Sequence, residues 1–268
     1  LRPTKLLVTR LSFAKARLSS YDDKFGAIQG NFREFGDILS TIGISGLDGL
    51  LLDLGISSRQ VDDADRGFSF SKPGPLDMRM DPDAEITAAE LVNNCEEEEL
   101  ARVFYEYGEE RASRRIASAI VNRRKEKLFE CTTDLASLVE SILPRRGKKH
   151  PATRVFQALR IAVNNELRVL EEALAEVPKW LRPGGRLVII SFHSLEDRIV
   201  KSYLKRCSRS VIDRPEWPEP KQNPDYCFKL VMQKGIIPSK EEVRNNPRAR
   251  SARLRVAERL PVGVSNAE

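Results

Sequence analysis

The chain has 268 residues, 41% of them hydrophobic, enough for one sizeable core with an added subdomain. Its net charge of +6 and pI of about 9.2 suit a polyanionic partner, and equally a solvated surface that is merely basic. No apolar run reaches the length of a membrane span; the four scattered cysteines form no C-x-x-C pair, and two histidines are too few for a multi-histidine metal centre.

The opening, Leu1 to Ser20, holds Arg2, Lys5, Arg10, Lys15 and Arg17 but no acid, and does not begin with methionine. It reads either as an organellar transit peptide or, the reading favoured here, as a truncated chain in which Ser12 to Leu18 ends a helix. Phe25 to Ile28 predicts a short strand running into Gly30-Asn31-Phe32. Phe35 to Ile42 predicts a helix stopped by Gly43. The run Leu47 to Leu54 then predicts a buried strand of a parallel sheet. Ligands bind outside the carboxyl ends of such strands, where Asp53 stands, followed by Gly55, Ser57 and Ser58. At this point Asp53 serves equally well as a ligand-facing carboxylate or as a cap for the next helix.

Residues 71–82, SKPGPLDMRMDP, form a loop with three prolines, in which Asp77, Arg79 and Asp81 are placed to pair with one another. From Thr87 the character is helical. Thr87 to Glu90 fits a capping box, and helices follow over Glu96 to Tyr107, Glu110 to Arg124 and Thr133 to Pro144. Helices in series without a strand predict an inserted helical subdomain. Its cations, among them Arg111, Arg115, Arg124 and Lys149, are dense enough to meet phosphates, although a solvated helical face has the same look. A long helix is predicted from Val155 to Leu174, closed by Pro178 and Pro183-Gly184-Gly185. Arg186 to Ile190 predicts a second buried strand, ending in Ser191-Phe192-His193-Ser194-Leu195-Glu196-Asp197, with a helix continuing over Arg198 to Arg206. Asp197 is expected to cap that helix. Finally, Arg248, Arg250, Arg253 and Arg255 suit a nucleic-acid backbone, or belong to a helix that packs Leu254 and Val256 on the core.

Six blocks, LLDLGISSRQVDDADRGFSF, GPLDMRMD, YGEERASRRIA, HPATRVFQALRIAVNNEL, GGRLVIISFHSLEDRIVK and NPRARSARLRVAE, occur in order between about Ala14 and Leu260. In these the chain resembles the bacterial ribosomal RNA small-subunit methyltransferase H (RsmH/MraW) family. The resemblance implies an α/β fold of the class I AdoMet-dependent methyltransferases, with a Rossmann-like, mainly parallel sheet and an inserted helical subdomain. Residues 1–82 and 149–268 would form the Rossmann-like domain, and 83–148 an insert that recognises RNA. It implies N4-methylation of a cytosine in the decoding region of 16S ribosomal RNA, with S-adenosyl-L-methionine as cofactor and the small ribosomal subunit as partner. The expected compartment is the cytoplasm, or a mitochondrion or plastid in a eukaryote; pairing as a homodimer stays open. By position, Phe32, Asp53 and Gln60 match the family's AdoMet contacts. One departure is plain: the family's G-x-G-G-H loop and acidic strand end are not found, and KLLVTRLSF occupies the second place.

The implied chemistry asks for an acceptor beside a cytosine amine whose lone pair is delocalised into its ring. Asp53 is the best-spaced carboxylate. His193 is the alternative base, although a lone histidine after a buried strand is usually hydrogen-bonded into the structure. Asp53-Leu54-Gly55-Ile56 stands where many amino-methyltransferases carry Asn/Asp-Pro-Pro-aromatic, so that mechanism does not transfer in detail. Two other readings compete. One is a non-catalytic assembly factor of the same fold that binds ribosomal RNA. The other is a metal-dependent hydrolase built on Asp53, Asp62, Asp63, Asp65 and His193.

Overall fold

A computed structural model of the chain describes residues 12–21, 24–144 and 150–261. Arg145 to Lys149, the last cations of the expected insert, lie outside the described residues, as do residues 1–11. Residues 12–17 are helical, in keeping with the helix end expected there.

The sheet grows from two apolar runs. Strand β1 (Leu47–Asp53) pairs in parallel with β2 (Leu181–Ser191), in a register that sets Asp53 opposite Ile190. A short ribbon of β3 (Val211–Ile212) and β4 (Lys221–Gln222) stands apart. Strands β5 (Phe228–Leu230) and β6 (Arg253–Arg259) complete the four-stranded order β1-β2-β6-β5. Strand β6 is antiparallel to both neighbours. Three of the four strands therefore run one way, and β6 is reversed between them, so the mainly parallel α/β sheet expected from the sequence is present.

Several expectations are corrected. Phe25 to Ile28 is irregular, without a strand to pair with among the described residues. Among the described residues β1 is an edge, and its run is buried on one side only: Leu52 is 7% exposed and Leu51 60%. Of the tail arginines, Arg248 and Arg250 lie on a 3-10 turn (Pro247–Ser251) and Arg253 and Arg255 on β6, and three of the four pair with carboxylates. Arg255 grips Asp197 through two bonds (2.7 and 3.1 Å), Arg253 lies 3.4 Å from the same carboxylate, and Arg248 pairs with Asp62. Asp197 is thus a clamp on β6, not the cap of its helix. Alternation along a strand explains the shared partner, since residues two apart face the same side.

The helices are α1 (Phe35–Thr41), α2 (Ser58–Asp62), α3 (Ala88–Asn94), α4 (Glu97–Glu106), α5 (Ser113–Arg124), α6 (Thr132–Ile142), α7 (Thr153–Asn164), α8 (Glu166–Trp180), α9 (Ser194–Cys207) and α10 (Lys240–Asn245). Gly43, at φ 75°, ends α1 as expected, and the Thr87 capping box opens α3. The single long helix expected from Val155 to Leu174 is two. Asn165 adopts left-handed φ/ψ (49°, 35°), a region that Asn tolerates better than most residues, and breaks it. The preceding Asn164 holds the break in place: its Oδ1 accepts from Met80 N (2.6 Å) and its Nδ2 donates to Met78 O (2.8 Å). α8 also runs past Pro178 to Trp180, where the sequence had suggested a stop.

Two apolar cores result. One gathers Phe68, Leu76 and Met78 with α3 to α7, so the helical unit also draws on residues flanking 83–148. The other lies under the sheet, from Leu52 and Leu54 through Leu170, Leu187 and Val200 to Phe228 and Ala257. The proline-rich loop is fixed, not loose. Asp77 takes two bonds from the Arg79 guanidinium (2.9 and 2.8 Å), and Leu76 N donates to Glu130 O. Asp81 does not join that pair; it caps Asp83 N.

Candidate functional site

The rim is made where β1 and β2 end side by side. Leu54 N still donates to Ile190 O (3.0 Å), so the strands stay paired until both chains turn away. Gly55 turns at φ 87°, and a Cβ there would stand 3.5 Å from the Phe192 ring. The two strand ends thus touch.

The two ends differ in what they hold. Asp53 is exposed, and its carboxylate has no hydrogen-bond partner among the described residues. Four residues later Ser57 caps α2 in a capping box: Gln60 Oε1 accepts from Ser57 N (2.9 Å) and Oγ (3.0 Å), which leaves the Gln60 amide NH₂ as its free group. Phe32 stands on a one-turn helix (Phe32–Glu34) packed on α8, with 38% of its surface exposed. Asp62 is turned to Arg248 and Asp63 caps Asp65 N (3.2 Å), so the acids of this loop do not converge with Asp53.

At the end of β2 most polar groups are hydrogen-bonded within the protein, His193 Nε2 being a buried atom without a hydrogen bond. Glu196 Oε2 accepts from Phe192 N (2.8 Å) and His193 N (3.2 Å), while its Oε1 lies 3.1 Å from His193 Nε2. His193 Nδ1 in turn accepts from Glu196 N (3.3 Å), so His193 is the N-cap of α9. With Nδ1 accepting, the ring proton sits on Nε2, facing the carboxylate. Burial pushes the Glu196 carboxyl up, but the adjoining His193 imidazole, the Phe192 N–H and Arg160 outweigh it and hold it below the usual range. Glu166 comes close enough that its ligand atoms, with those of His193 and Glu196, lie within 4.8 Å of one another. The guanidinium of Arg160 occupies both oxygens of Glu166 (2.7 and 2.8 Å), so the cluster is a closed network of ion pairs.

Opposite this rim lies the helical unit. Gly108 lets its loop approach α7 so closely that a Cβ would stand 2.7 Å from Arg154 O. Next to it Glu109, at φ 50°, accepts from Ser194 Oγ (2.6 Å) and from Arg198 (2.7 Å). Those two bonds hold its carboxyl below the usual range and tie the unit to α9. Between the unit and the rim is a hollow of about 1040 Å³, with Arg111, Arg115, Arg154, Arg198, Lys201 and Arg253 among its walls. His193 and Phe192 line it too; Phe32, Asp53 and Gln60 lie outside it. Elsewhere on the unit, Arg124 is spent on closing α3, donating to Val92 O and Cys95 O (2.9 and 2.7 Å).

Sequence reasoning did not single out Glu109, Arg160, Glu166 or Phe192. All four lay within stretches already marked, Glu109 in YGEERASRRIA, Arg160 and Glu166 in HPATRVFQALRIAVNNEL and Phe192 in GGRLVIISFHSLEDRIVK. Arg160 and Glu166 face each other only because the chain breaks at Asn165.

A model described as the MraW methylase family matches residues 8–260. A protein of Carboxydothermus hydrogenoformans named ribosomal RNA small subunit methyltransferase H is 46% identical over 252 residues, 93% of this chain and 81% of that protein. Proteins with the same name from Halothermothrix orenii and Geobacter sulfurreducens are each 47% identical, over 92% and 93% of this chain and 80% and 81% of their own lengths.

Proposed function

The chain belongs to the MraW methylase family, and from that premise we propose that it transfers a methyl group from S-adenosyl-L-methionine to the N4 amine of a cytosine in the decoding region of small-subunit ribosomal RNA. A class I methyltransferase fold and an rRNA methyltransferase activity come with the family; the cofactor, the atom and the position are our reading. The observation that carries it is the joined rim, where a free carboxylate at one strand end adjoins a cation-lined hollow at the next.

The residues at β1 suit the proposed cofactor. Asp53 keeps its acceptor capacity free at a strand end, Gly55 brings bare backbone close by, the Gln60 amide is unspent, and Phe32 offers an exposed ring. When bound, S-adenosyl-L-methionine supplies a methyl carbon made electrophilic by its sulfonium. The protein's part is to align the amine and to accept its hydrogens as the nitrogen gains positive charge. Alignment alone contributes up to roughly 7–11 kcal/mol in favourable cases. Asp53 is the acceptor we assign, by its place on the rim and its lack of another partner. His193 is less suited to remove a proton, since Nδ1 caps α9 and Nε2 faces Glu196. It is better read as fixing the loop.

The hollow, with Arg111, Arg115 and Arg154, is assigned to the RNA, with the helical unit as the part that grips it. No described helix is long and apolar enough to cross a membrane. Mass mapping of small-subunit RNA from cells with and without the gene tests the reading. N4-methylcytosine in the decoding region should be lost with the gene and regained with it; full methylation in its absence would overturn the assignment.

A further inference from the structure

Among the described residues Phe192 is the one carbocyclic ring on the walls of the hollow, and neither the cofactor side nor the helix cap uses it. We propose that the target cytosine, once out of its stack, is received on the face of Phe192; this rests on the methyl-transfer reading above and names the residue that would seat its substrate.

Position argues first. Phe192 follows the last residue of β2, is half-buried, has a ring carbon beside Gly55 and is one of the residues that line the hollow. It thus stands as the partition between the side of Asp53 and Gln60 and the side of Arg111, Arg115 and Arg154. A nucleotide held by its phosphates on those arginines has this ring as the apolar surface between it and Asp53. Rigidity argues next. Glu196 holds Phe192 N at 2.8 Å, and Glu196 is itself 3% exposed, so the ring hangs from a buried anchor. The other rings on the hollow are committed: His150 stacks on Phe70 at 4.7 Å with its Nδ1 taken by Ala152 N, and His193 caps α9. An enzyme acting on a base must extract it from its stack, and an aromatic face returns part of what unstacking costs.

The test uses the full chain with Phe192→Leu, Phe192→Tyr and a small-subunit RNA fragment carrying pyrrolocytosine, a fluorescent cytosine, at the target. Stacking on the wild-type ring should quench the analogue, and Phe192→Leu should abolish the quench. On the unlabelled fragment Phe192→Leu should lower kcat/KM roughly tenfold to a hundredfold, the usual worth of one base-aromatic stack. Phe192→Tyr should restore it to within about threefold, and S-adenosyl-L-methionine affinity by calorimetry should stay unchanged in both variants. Equal quenching and turnover in Phe192→Leu would overturn the proposal. So would a parallel fall in cofactor affinity, which would put the ring on the cofactor side, or an early melt, which would make it core packing. Wild-type protein that quenches the analogue through Phe192 yet methylates nothing would refute the methyl-transfer reading alone.

Discussion

The loops after β1 and β2 leave the same rim of the sheet but are held in opposite ways. After β2 the chain is locked: Glu196 is buried and takes two backbone N–H groups, His193 returns the favour to Glu196 N, and Arg160 and Glu166 close the cluster behind them. After β1 the chain leaves Asp53 exposed and without a partner among the described residues. A group already satisfied by its own protein has little left for a ligand, while a free carboxylate at a strand end has everything left. The comparison therefore assigns shape to one loop and chemistry to the other.

The sharpest way to break that division is at Glu196. Glu196→Ala strands two backbone donors and the histidine in a buried place, and should cost about 3–5 kcal/mol of stability, read as a lower urea midpoint. The pH dependence follows from the lowered carboxyl of Glu196. Its folded value lies below the unfolded one of about 4.3, so the stabilisation is complete above that pH and is lost as pH falls through the folded value. In Glu196→Gln this part of the acid slope should vanish, with the amide oxygen still able to accept from Phe192 N. An equal acid slope in wild type and variant would show that Glu196 is not what holds the loop.

Asp53→Ala should show the reverse pattern. Turnover on RNA should fall about a hundredfold to a thousandfold, the scale for removal of one preorganised polar group at a reacting centre. Stability should stay within about 0.5 kcal/mol, because no internal bond is broken. If Asp53→Ala melted early and kept its activity, the roles of the two loops would have to be exchanged.

Glu109 is the intermediate case, since its bonds to Ser194 and Arg198 join the helical unit to α9 across the hollow. Both partners are largely exposed, so Glu109→Gln should cost only about 1 kcal/mol, the worth of a charge-assisted bond reduced by solvent. The local consequence should be larger than the global one. Amide exchange should quicken around 108–115 and 194–198 and nowhere else.

What could be read from the sequence was local. The two strands, the Gly43 stop and the Thr87 capping box all follow from runs and punctuation within a few residues. The break at Asn165 was not legible, because the apolar spacing continues through it and the clamp that justifies it comes from Met78 and Met80, more than eighty residues away. The tail misled for a similar reason. Arg253 and Arg255 look like phosphate ligands until β6 is laid beside β2, which brings both to Asp197. His193 as a cap was hidden by its type, since helix starts are sought at Ser, Thr, Asp and Asn.

The smallest effect tests whether long-range pairing by itself lends stability. Arg248 and Asp62 are 186 residues apart in sequence and joined by two bonds, which hold the Asp62 carboxyl below the usual range. By topology this looks like a strap from the tail onto the loop after β1. By burial it is a surface pair, with 46% and 64% of the two side chains exposed. Exposed pairs forfeit most of their attraction to solvent and to the ordering of two side chains. Asp62→Asn should therefore move the melting temperature by no more than about 2 °C, a difference that 0.5 M salt should erase. A drop several times larger would mean that the loop after β1 depends on the tail for its shape, and the freedom assigned to that loop would no longer hold.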